Sequence, residues 1–351
     1  MSTVARASGV SLAAALLLTL TGTTASAAPP APHVERVSTA ADGTQGDGAS
    51  SAAYTTPNGR FVSFRSSATN LVPEGISHPG TYSYIRDLRT GRLTKIEAAL
   101  STPRLSADGR WATYTDWGSR KINVFLMDLS TGTRIRAGGD ARDSGSAPDI
   151  SADGRYIVYT WGSGHPQFPN RIDLYDRVTG TRETVSAGPQ DDETRDMDNP
   201  SISGDGRYVA YQDEGSGDVW VADRTTGTQA EADDGTPSTV VQLSVDGRVL
   251  AMDSADGSYV RDLRTGRVQH FPGVEVRALS PDGRRILLQD GQSNLWLRDL
   301  HGGRRVLVGH GSATDGSVSD RGRSVVYSSQ DTDIVPGDTN GVADVFLRTV
   351  Q

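Results

Sequence analysis

The stretch ISADGRYIVYTW, residues 150–161, contains the pattern that decides the fold of this chain of 351 residues. Its Asp-Gly pair supplies the positive φ angles of a tight two-residue turn, and an apolar, β-branched run follows the turn as a strand would. The spacing between successive copies ranges from 36 to 52 residues, so the chain is an internal repeat of supersecondary units. The seven turn glycines are Gly59, Gly109, Gly154, Gly206, Gly247, Gly283 and Gly322.

A second hairpin pattern follows each of the first six turns. An alternating strand ends at an aspartate, a glycine-containing turn follows, and another alternating strand runs back, as in DLYDRVTGTRETV at 173–185. The six aspartates are Asp87, Asp128, Asp176, Asp223, Asp262 and Asp299. Each repeat therefore contains four short antiparallel strands, here called a, b, c and d, which is the composition of a β-propeller blade. The sequence predicts an all-β fold, a seven-bladed β-propeller of four-stranded antiparallel blades.

The two ends of the chain predict how the ring closes. The seventh repeat, 312–351, stops after its third strand and lacks a strand d. The segment HVERVSTA at 33–40 resembles a strand d and precedes the first complete repeat. We therefore predict a single propeller domain over 29–351, in which 33–40 forms the outer strand of blade 7 and 312–351 forms the remainder of that blade. Such closure removes the open sheet edges.

The N-terminal segment has the features of a secretory signal peptide. Arg6 precedes an apolar run at 10–20, and Ala25-Ser26-Ala27 fits the A-x-A cleavage pattern. We predict a signal peptide over 1–28 and a secreted protein, extracellular or associated with the cell wall. The apolar run is too short to span a bilayer, so no transmembrane segment is expected. The chain has no cysteine, so its core and topology must hold the exported fold together.

Charge restricts the classes of partner. The formal net charge is −8 at pH 7. An acidic protein is disfavoured as a binder of nucleic acid or of anionic membranes, because both repel negative charge. We expect a monomer that requires no cofactor. Its expected partner is an extracellular or cell-envelope protein, or a wall glycan.

The repeat also carries a family resemblance. The Ser-x-Asp-Gly-Arg hairpins, such as SADGRYIVY at 151–159, and the Asp-x-x-Thr-Gly turns, such as DRVTG at 176–180, resemble the WD40-like repeats of TolB-like propellers. The segment DTDIVPGDTNGVADVFLR at 331–348 is similar to phrases found in exported bacterial propellers. The resemblance covers essentially the whole chain after the predicted signal peptide. It implies a propeller and a protein-interaction role in the cell envelope, although propellers host many functions.

A propeller has two faces, and the repeat predicts different roles for them. The a–b and c–d turns share one face, here called the turn face, whereas the b–c loops and d–a crossings share the other, the loop face. We interpret the repeated Asp and Arg of the turns as structural; the alternative is a charged ring that binds a partner. Variable loops on a rigid scaffold usually carry binding sites, so the loop face is the predicted contact surface. The candidate ligand- or partner-binding residues are Trp117, Trp161, His165, Phe168, Asp213, Asp253 and Asp290.

One of these residues and one further loop have alternative interpretations. Trp161 could equally cap the core of its blade, because tryptophan is usually mostly buried. In blade 7, Asp338, Asn340 and Asp344 place oxygen side chains around a Gly turn, which is how Ca²⁺ loops are built. The loop lacks the closing Glu and the full spacing of an EF-hand. We therefore keep two interpretations, a structural Ca²⁺ site at these three residues and an Asx-rich turn.

The sequence contains no located catalytic constellation. There is no G-x-S-x-G nucleophile elbow, and no pair of acids is singled out as a glycosidase would require. A metal-dependent uronate lyase would need several converging histidines, but His78, His165 and His310 fall in three different blades. We predict a non-catalytic protein- or glycan-binding module rather than an enzyme. The alternative is a carbohydrate-active enzyme, a metal-dependent uronate lyase or a glycoside hydrolase, with its site in the central funnel.

Overall fold

A computed structural model describes Met1 and residues 33–76, 78–97, 99–118, 120–140, 142–163, 169–186 and 196–350. The predicted signal peptide over 1–28 falls outside this description, Met1 apart. Within the described residues the fold is all-β, with one short 3-10 turn at Asp320–Gly322 and no α-helix. None of the described segments forms a helix long and apolar enough to cross a membrane.

The first strand, β1 (His33–Arg36), is separated from the strands that follow it and belongs to the last blade. After it, six antiparallel four-stranded sheets follow one another, each paired in the order a-b-c-d. Blades 1 to 3 contain β2 (Ser50–Thr55), β3 (Phe61–Ser66), β4 (Tyr82–Asp87), β5 (Leu93–Ile96), β6 (Arg104–Leu105), β7 (Trp111–Trp117), β8 (Ile122–Asp128), β9 (Thr133–Gly138), β10 (Ser144–Ile150), β11 (Tyr156–Gly162), β12 (Arg171–Asp176) and β13 (Thr181–Thr184). Blades 4 to 6 contain β14 (Met197–Ile202), β15 (Tyr208–Asp213), β16 (Val219–Asp223), β17 (Thr228–Glu231), β18 (Ser238–Leu243), β19 (Val249–Ser254), β20 (Ser258–Asp262), β21 (Val268–Phe271), β22 (Val274–Leu279), β23 (Arg285–Asp290), β24 (Asn294–Asp299) and β25 (Arg305–His310).

Blade 7 combines both ends of the chain. Its strands b and c are β26 (Ser324–Ser329) and β27 (Asp344–Thr349), and β1 takes the outer position beside β27, with His33 opposite Thr349. The inner position is taken by residues 312–318, which make isolated bridges to β26. The prediction of a seven-bladed all-β propeller whose N-terminal strand completes the last blade is confirmed.

Glycine is required at the turns both by the backbone conformation and by close packing against the neighbouring blade. Gly154 has a φ of +69°, a left-handed conformation that residues with a side chain avoid. A Cβ atom at this position would lie 2.6 Å from the ring of Trp111 in the preceding blade. Beside it, Ser151 donates a hydrogen bond to Asp153 and accepts one from the amide of Tyr156. The motif that recurs in the sequence is therefore turn chemistry combined with close contact between blades.

In each of blades 1 to 5, an arginine and an aspartate tie the two turns together. Arg155 Nη2 lies 2.8 Å from Asp176 Oδ2, and its guanidinium carbon lies 4.7 Å from the centre of the Tyr156 ring. Hydrogen bonding to Arg155 lowers the pKa of Asp176 to about 2. The repeated charges of these blades thus engage one another. The corresponding pairs are Arg60–Asp87, Arg110–Asp128, Arg207–Asp223 and Arg248–Asp262.

The hydrophobic core lies between neighbouring blades. In one cluster, Ile172 and Leu174 of blade 3 pack with Val209 and Tyr211 of blade 4. Six blades each contribute a tyrosine that is almost fully removed from solvent, and large aromatic side chains bury more apolar area than any other residue type. Packing of blade on blade therefore stabilises the ring without disulfides. These tyrosines are Tyr84, Tyr114, Tyr159, Tyr211, Tyr259 and Tyr327.

Candidate functional site

The seven blades surround a central funnel with a volume of about 580 Å³. Every blade contributes to the wall through its strand a or, in blade 7, through the inner segment 312–318. Small-molecule sites in proteins have volumes of roughly 300–1,000 Å³, so the funnel is large enough to receive a ligand. One residue from each blade, in blade order, is Tyr54, Arg104, Ala147, Asn199, Val240, Val276 and Asp315.

Backbone strain is concentrated on the inner strands that form this wall. Ala52, Ala147 and Asn199 have φ angles of +52°, +45° and +53°. They occupy the same position in blades 1, 3 and 4, seven residues before the turn glycine, and each lies in a β-bulge between strands a and b. Such a conformation costs of order 1–3 kcal/mol for a non-glycine residue and clusters at functional sites. The bulges are thus a structural signal that points to the funnel.

A set of contacts between blades closes the funnel toward the turn face. Arg104 of blade 2 forms an ion pair with Asp315 of blade 7, and its guanidinium carbon lies 4.1 Å from the centre of the Tyr54 ring of blade 1. Gln242 of blade 5 accepts a hydrogen bond of 3.1 Å from the amide of Gly316 in blade 7. Tyr54, Arg104 and Gln242 stand two residues nearer the turn glycines than the bulges do. These five residues form what we call the funnel floor.

Burial and charge set the ionisation of the funnel floor and of the wall beside it. Burial opposes the charge of Arg104, but the carboxylate of Asp315 outweighs this cost and raises the pKa of Arg104. Burial raises the pKa of Tyr54 to about 12. Burial also raises the pKa of Asp149, whose carboxylate accepts a hydrogen bond of 3.0 Å from the amide of Ile202. The guanidinium of Arg104 is therefore charged at every accessible pH, and its ion pair with Asp315 links blade 2 to blade 7.

The opening of the funnel on the loop face carries an exposed aromatic residue. Trp117 follows Thr115 in β7 and pairs with Ile122 in β8, and both of these neighbours line the funnel. Trp117 is 61% exposed. A large aromatic side chain left in water at the mouth of a cavity is a typical anchor for a ligand or partner. The structure thus places this candidate residue on the funnel rim.

Three other candidate residues lie in cavities, and one of them, Asp290, lines a cavity of about 440 Å³ between blades 5 and 6. Asp253 lines the funnel, where burial raises its pKa and the hydroxyl of Ser258 donates a hydrogen bond to it. Trp161 is half-buried, and the guanidinium carbon of Arg171 lies 3.7 Å from the centre of the Trp161 ring. Trp161 lines a separate cavity of about 230 Å³. The structure therefore places Asp253 in the funnel wall, Trp117 next to residues of that wall, and Trp161 at a separate cavity.

The remaining loop-face candidates divide into two groups. Asp213 accepts a hydrogen bond from the amide of Gly215, and Asp290 accepts one from the amide of Gln292, so both carboxylates support their own b–c loops. Hydrogen bonds from Asn294 and from neighbouring groups lower the pKa of Asp290. The last two candidates, His165 and Phe168, lie outside the described residues.

The predicted cation loop of blade 7 surrounds an arginine of the closing strand. Arg36 Nη2 lies 3.2 Å from Asp338 Oδ2, and Arg36 Nε lies 3.1 Å from Asp344 Oδ2. The amide of Gln45 donates to both carboxylates, and the amide of Asn340 donates to Asp344. We call these five residues the closure cluster. The guanidinium supplies positive charge at this position, and binding of Ca²⁺ there stays a prediction.

Sequence reasoning missed the residues of the funnel floor. A charged residue inside a strand that should be apolar was the available signal, since Arg104 and Asp149 both stand five residues before their turn glycines. Such a residue is costly to bury without a partner. The partner of Arg104 lies 211 positions away in the sequence, so no local pattern reveals the pair.

Comparison with known proteins bears on the fold. No family model matches the chain, and no curated protein matches it. Two solved structures, an oligogalacturonate lyase in complex with manganese and the oligogalacturonate lyase of Vibrio parahaemolyticus, each align with a TM-score of 0.65. They are 16% and 15% identical, and each alignment covers 91% of this chain and 93% of the other. TolB from Acinetobacter baumannii aligns with a TM-score of 0.50 at 17% identity, over 76% of this chain and 65% of that one.

The likeness is one of fold. The predicted resemblance to TolB-like propellers is confirmed at that level. Sequence identity this low carries no activity from one propeller to another, because the fold hosts many unrelated functions.

The described residues of the funnel do not fit a metal ion such as the manganese of the first lyase. Among the residues that line the described funnel there is no histidine, and its carboxylates at Asp315 and Asp253 are engaged by Arg104 and Ser258. Asp218, Glu231 and Asp233 are the one group of three potential metal ligands in the described parts of the chain, and they lie in blade 4 away from the funnel lining.

Proposed function

We propose that this protein is a secreted, monomeric, non-catalytic binding module. Its ligand, a cell-envelope or extracellular protein or a wall glycan, enters the central funnel from the loop face. The observation that carries the proposal is the funnel itself. It is a cavity of about 580 Å³ to which all seven blades contribute, and its inner strands adopt strained bulges.

The rim supports binding of a flat or extended ligand. Trp117 is exposed beside the funnel opening, and an indole ring can stack on a sugar ring or on an apolar side chain. Below the rim, the wall contains hydroxyl groups at Thr115 and Thr239, whereas the hydroxyl of Thr314 donates a hydrogen bond to the carbonyl of Ala53. Hydroxyl groups both donate and accept hydrogen bonds, as recognition of sugar hydroxyls or peptide groups requires.

The state of the charged residues supports binding rather than catalysis. A general base must have a carboxylate or imidazole within reach of the proton that it abstracts. The carboxylates of Asp315, Asp149 and Asp253 are engaged by Arg104, by backbone amides and by Ser258 respectively. Each of these groups joins one part of the propeller to another, and a group committed in this way is poorly placed to transfer protons.

The proposal is tested with the chain from residue 29, immobilised and exposed to solubilised envelope and culture material of its own source. Trp117→Ala is compared with Val178→Ala, which removes a side chain that is 63% exposed on the turn face. We expect the wild type and Val178→Ala to retain the same protein or glycan. Trp117→Ala should retain at least about tenfold less, because an aromatic anchor that becomes buried on binding contributes about 2 kcal/mol or more. Equal retention by all three forms, or none by the wild type, would contradict the proposal.

The second candidate function is a carbohydrate-active enzyme with its site in the funnel. The observation that favours it is that two solved structures with this fold are oligogalacturonate lyases. The discriminating assay incubates the wild type with acidic and neutral polysaccharides, with and without added Mn²⁺ or Ca²⁺. Turnover that Asp253→Asn abolishes while leaving polysaccharide binding intact would establish the enzyme and exclude the binding module.

A further inference from the structure

The turn face is not uniform around the ring. In blades 1 to 5 the arginine after the turn glycine pairs with the aspartate that ends strand c. In blade 6 the corresponding side chain, Arg284, is 70% exposed and lies 3.9 Å from Asp282 of its own turn. Asp299 accepts hydrogen bonds from amides of its c–d turn, as the corresponding aspartates of blades 1 to 5 also do. In blade 7, Thr349 stands where the aspartate would be, and Arg323 is exposed as well.

Three more exposed arginines join these two on neighbouring turns. Arg304 and Arg305 follow the c–d turn of blade 6, and Arg321 precedes the turn glycine of blade 7. The guanidinium carbon of Arg305 lies 4.6 Å from the ring centre of Trp296, within the range of a cation–π contact. We call the five residues the basic patch: Arg284, Arg304, Arg305, Arg321 and Arg323.

Backbone and side-chain contacts show that the turns carrying the basic patch adjoin one another in blades 6 and 7. The carbonyl oxygen of Arg284 accepts a hydrogen bond of 2.9 Å from the amide of Leu300, so the a–b and c–d turns of blade 6 adjoin. Arg285 lies against the turn of blade 7, where a Cβ atom at Gly322 would be 2.7 Å from its Cδ. The arginines on both sides of that glycine are therefore close neighbours of blade 6.

We propose that the basic patch binds an anionic polysaccharide. Guanidinium groups form paired hydrogen bonds with carboxylate, sulfate and phosphate oxygens, and a polymer with repeated charges meets several arginines at once. Each contact releases condensed counterions, so the affinity arises from charge.

The acids nearest the patch are Asp282 and Asp320, which lie 3.9 Å from Arg284 and 4.0 Å from Arg321, whereas the acids of the loop face are much farther away. A strand of six residues separates the two faces of the ring by about 20 Å. This separation is more than twice the Debye length of about 8 Å at physiological salt, so the acids of the loop face are screened from a polymer on the turn face. The basic patch lies on the face opposite the funnel mouth, and the two surfaces can be tested independently.

The test measures retention of the chain from residue 29 on immobilised alginate, dextran sulfate, neutral dextran and duplex DNA, at about 50 and 200 mM salt. We expect retention on alginate or dextran sulfate that falls steeply with salt, and none on dextran. The two anionic polymers distinguish carboxylate from sulfate recognition. The variant Arg284→Glu/Arg304→Glu/Arg323→Glu should bind at least about tenfold more weakly, because three counterion-releasing contacts are lost.

A matched control separates the patch from the overall charge. Arg120→Glu/Arg136→Glu/Arg142→Glu changes the net charge equally at exposed arginines around blade 2 and should retain the wild-type affinity. A cooperative thermal transition verifies folding of each variant, and Arg284→Gln/Arg304→Gln/Arg323→Gln repeats the test without added negative charge. The proposal would be overturned if the two triple glutamate variants lost polymer binding equally. It would also be overturned if the wild type bound DNA as tightly as the anionic polysaccharides, or if neither anionic polysaccharide retained it.

Discussion

Charged residues on the turn face and on the loop face of this propeller have different environments. In blades 1 to 5 of the turn face, the Arg–Asp pairs recur in every repeat and remain partly exposed, as at Arg155 and Asp176, whose side chains are 37% and 11% exposed. On the loop face, the charges of the closure cluster occur once, and Asp338 and Asp344 are 2% and 0% exposed. Partial exposure keeps the Arg–Asp pairs in high-dielectric surroundings, whereas the closure cluster is buried.

The difference teaches how to separate scaffold from specific function in a repeat protein. A residue that occurs in each blade stabilises its own blade, and its partner lies nearby in the sequence. A residue that occurs once contributes to a feature of the whole ring: Arg36 stabilises the closing blade, and Arg104 forms part of the funnel floor. Its partner lies far away in the sequence, as Asp344 does from Arg36 and Asp315 does from Arg104.

The largest effect is expected at the closure cluster. Arg36→Leu leaves the carboxylates of Asp338 and Asp344 buried without their cation, and removing one partner of a buried ion pair costs about 3–5 kcal/mol. Urea unfolding at pH 7 measures the loss, and Arg36→Lys should recover part of it. Arg155→Leu on the turn face should destabilise the protein much less. Equal losses for the two leucine variants would break the contrast between buried and exposed charges.

An intermediate effect is expected at the turn glycines. Gly154→Ala and Gly180→Ala both place a side chain at a positive φ, of +69° and +74°, which costs roughly 1–2 kcal/mol. Only Gly154 also meets the ring of Trp111, and overpacking adds about 1–3 kcal/mol. In thermal unfolding, Gly154→Ala should therefore have a lower melting temperature than Gly180→Ala. The opposite ranking would show that contact between blades at this turn contributes little.

The smallest effect is expected at an exposed pair and depends on pH. Hydrogen bonding to Arg155 lowers the pKa of Asp176 to about 2 in the folded protein. The unfolded value is about 3.9, so the stabilisation is complete above pH 4 and is lost as the pH falls from about 4 to about 2. Asp176→Asn removes this contribution. The stability difference between wild type and variant should shrink over that interval in urea unfolding, and a difference that is constant with pH would exclude the ion pair as its cause.

The fold could be predicted because its determinants are local and repeated. The Asp-Gly turns, the alternating strands and their spacing all lie within one repeat, so seven copies of the same signal reinforce each other. The closing strand was predictable for a related reason, since blade 7 lacked one strand and the N-terminal segment supplied one. Contacts within a repeat are therefore readable from sequence patterns.

The site could be predicted only in part. Trp117 and Asp253 were selected because loops on the loop face carry unrepeated aromatic and acidic residues. Asp253 lines the funnel, and Trp117 is paired with the lining residue Ile122. Asp213 and Asp290 have the same sequence character but cap their own loops, and composition cannot distinguish these roles. Asp338 and Asp344 have the pattern of a cation loop, while the sequence separation hides their partner Arg36.

The most direct test of the account combines two variants with two measurements. Trp117→Ala and Gly154→Ala are compared for retention of envelope and culture material and for the free energy of unfolding. The account predicts that Trp117→Ala loses retention with a change in stability within about 0.5 kcal/mol, as expected for an exposed residue. It predicts that Gly154→Ala loses stability but retains the same material at a temperature where it is folded. Retention that is lost in Gly154→Ala and kept in Trp117→Ala would contradict the assignment of binding to the loop face.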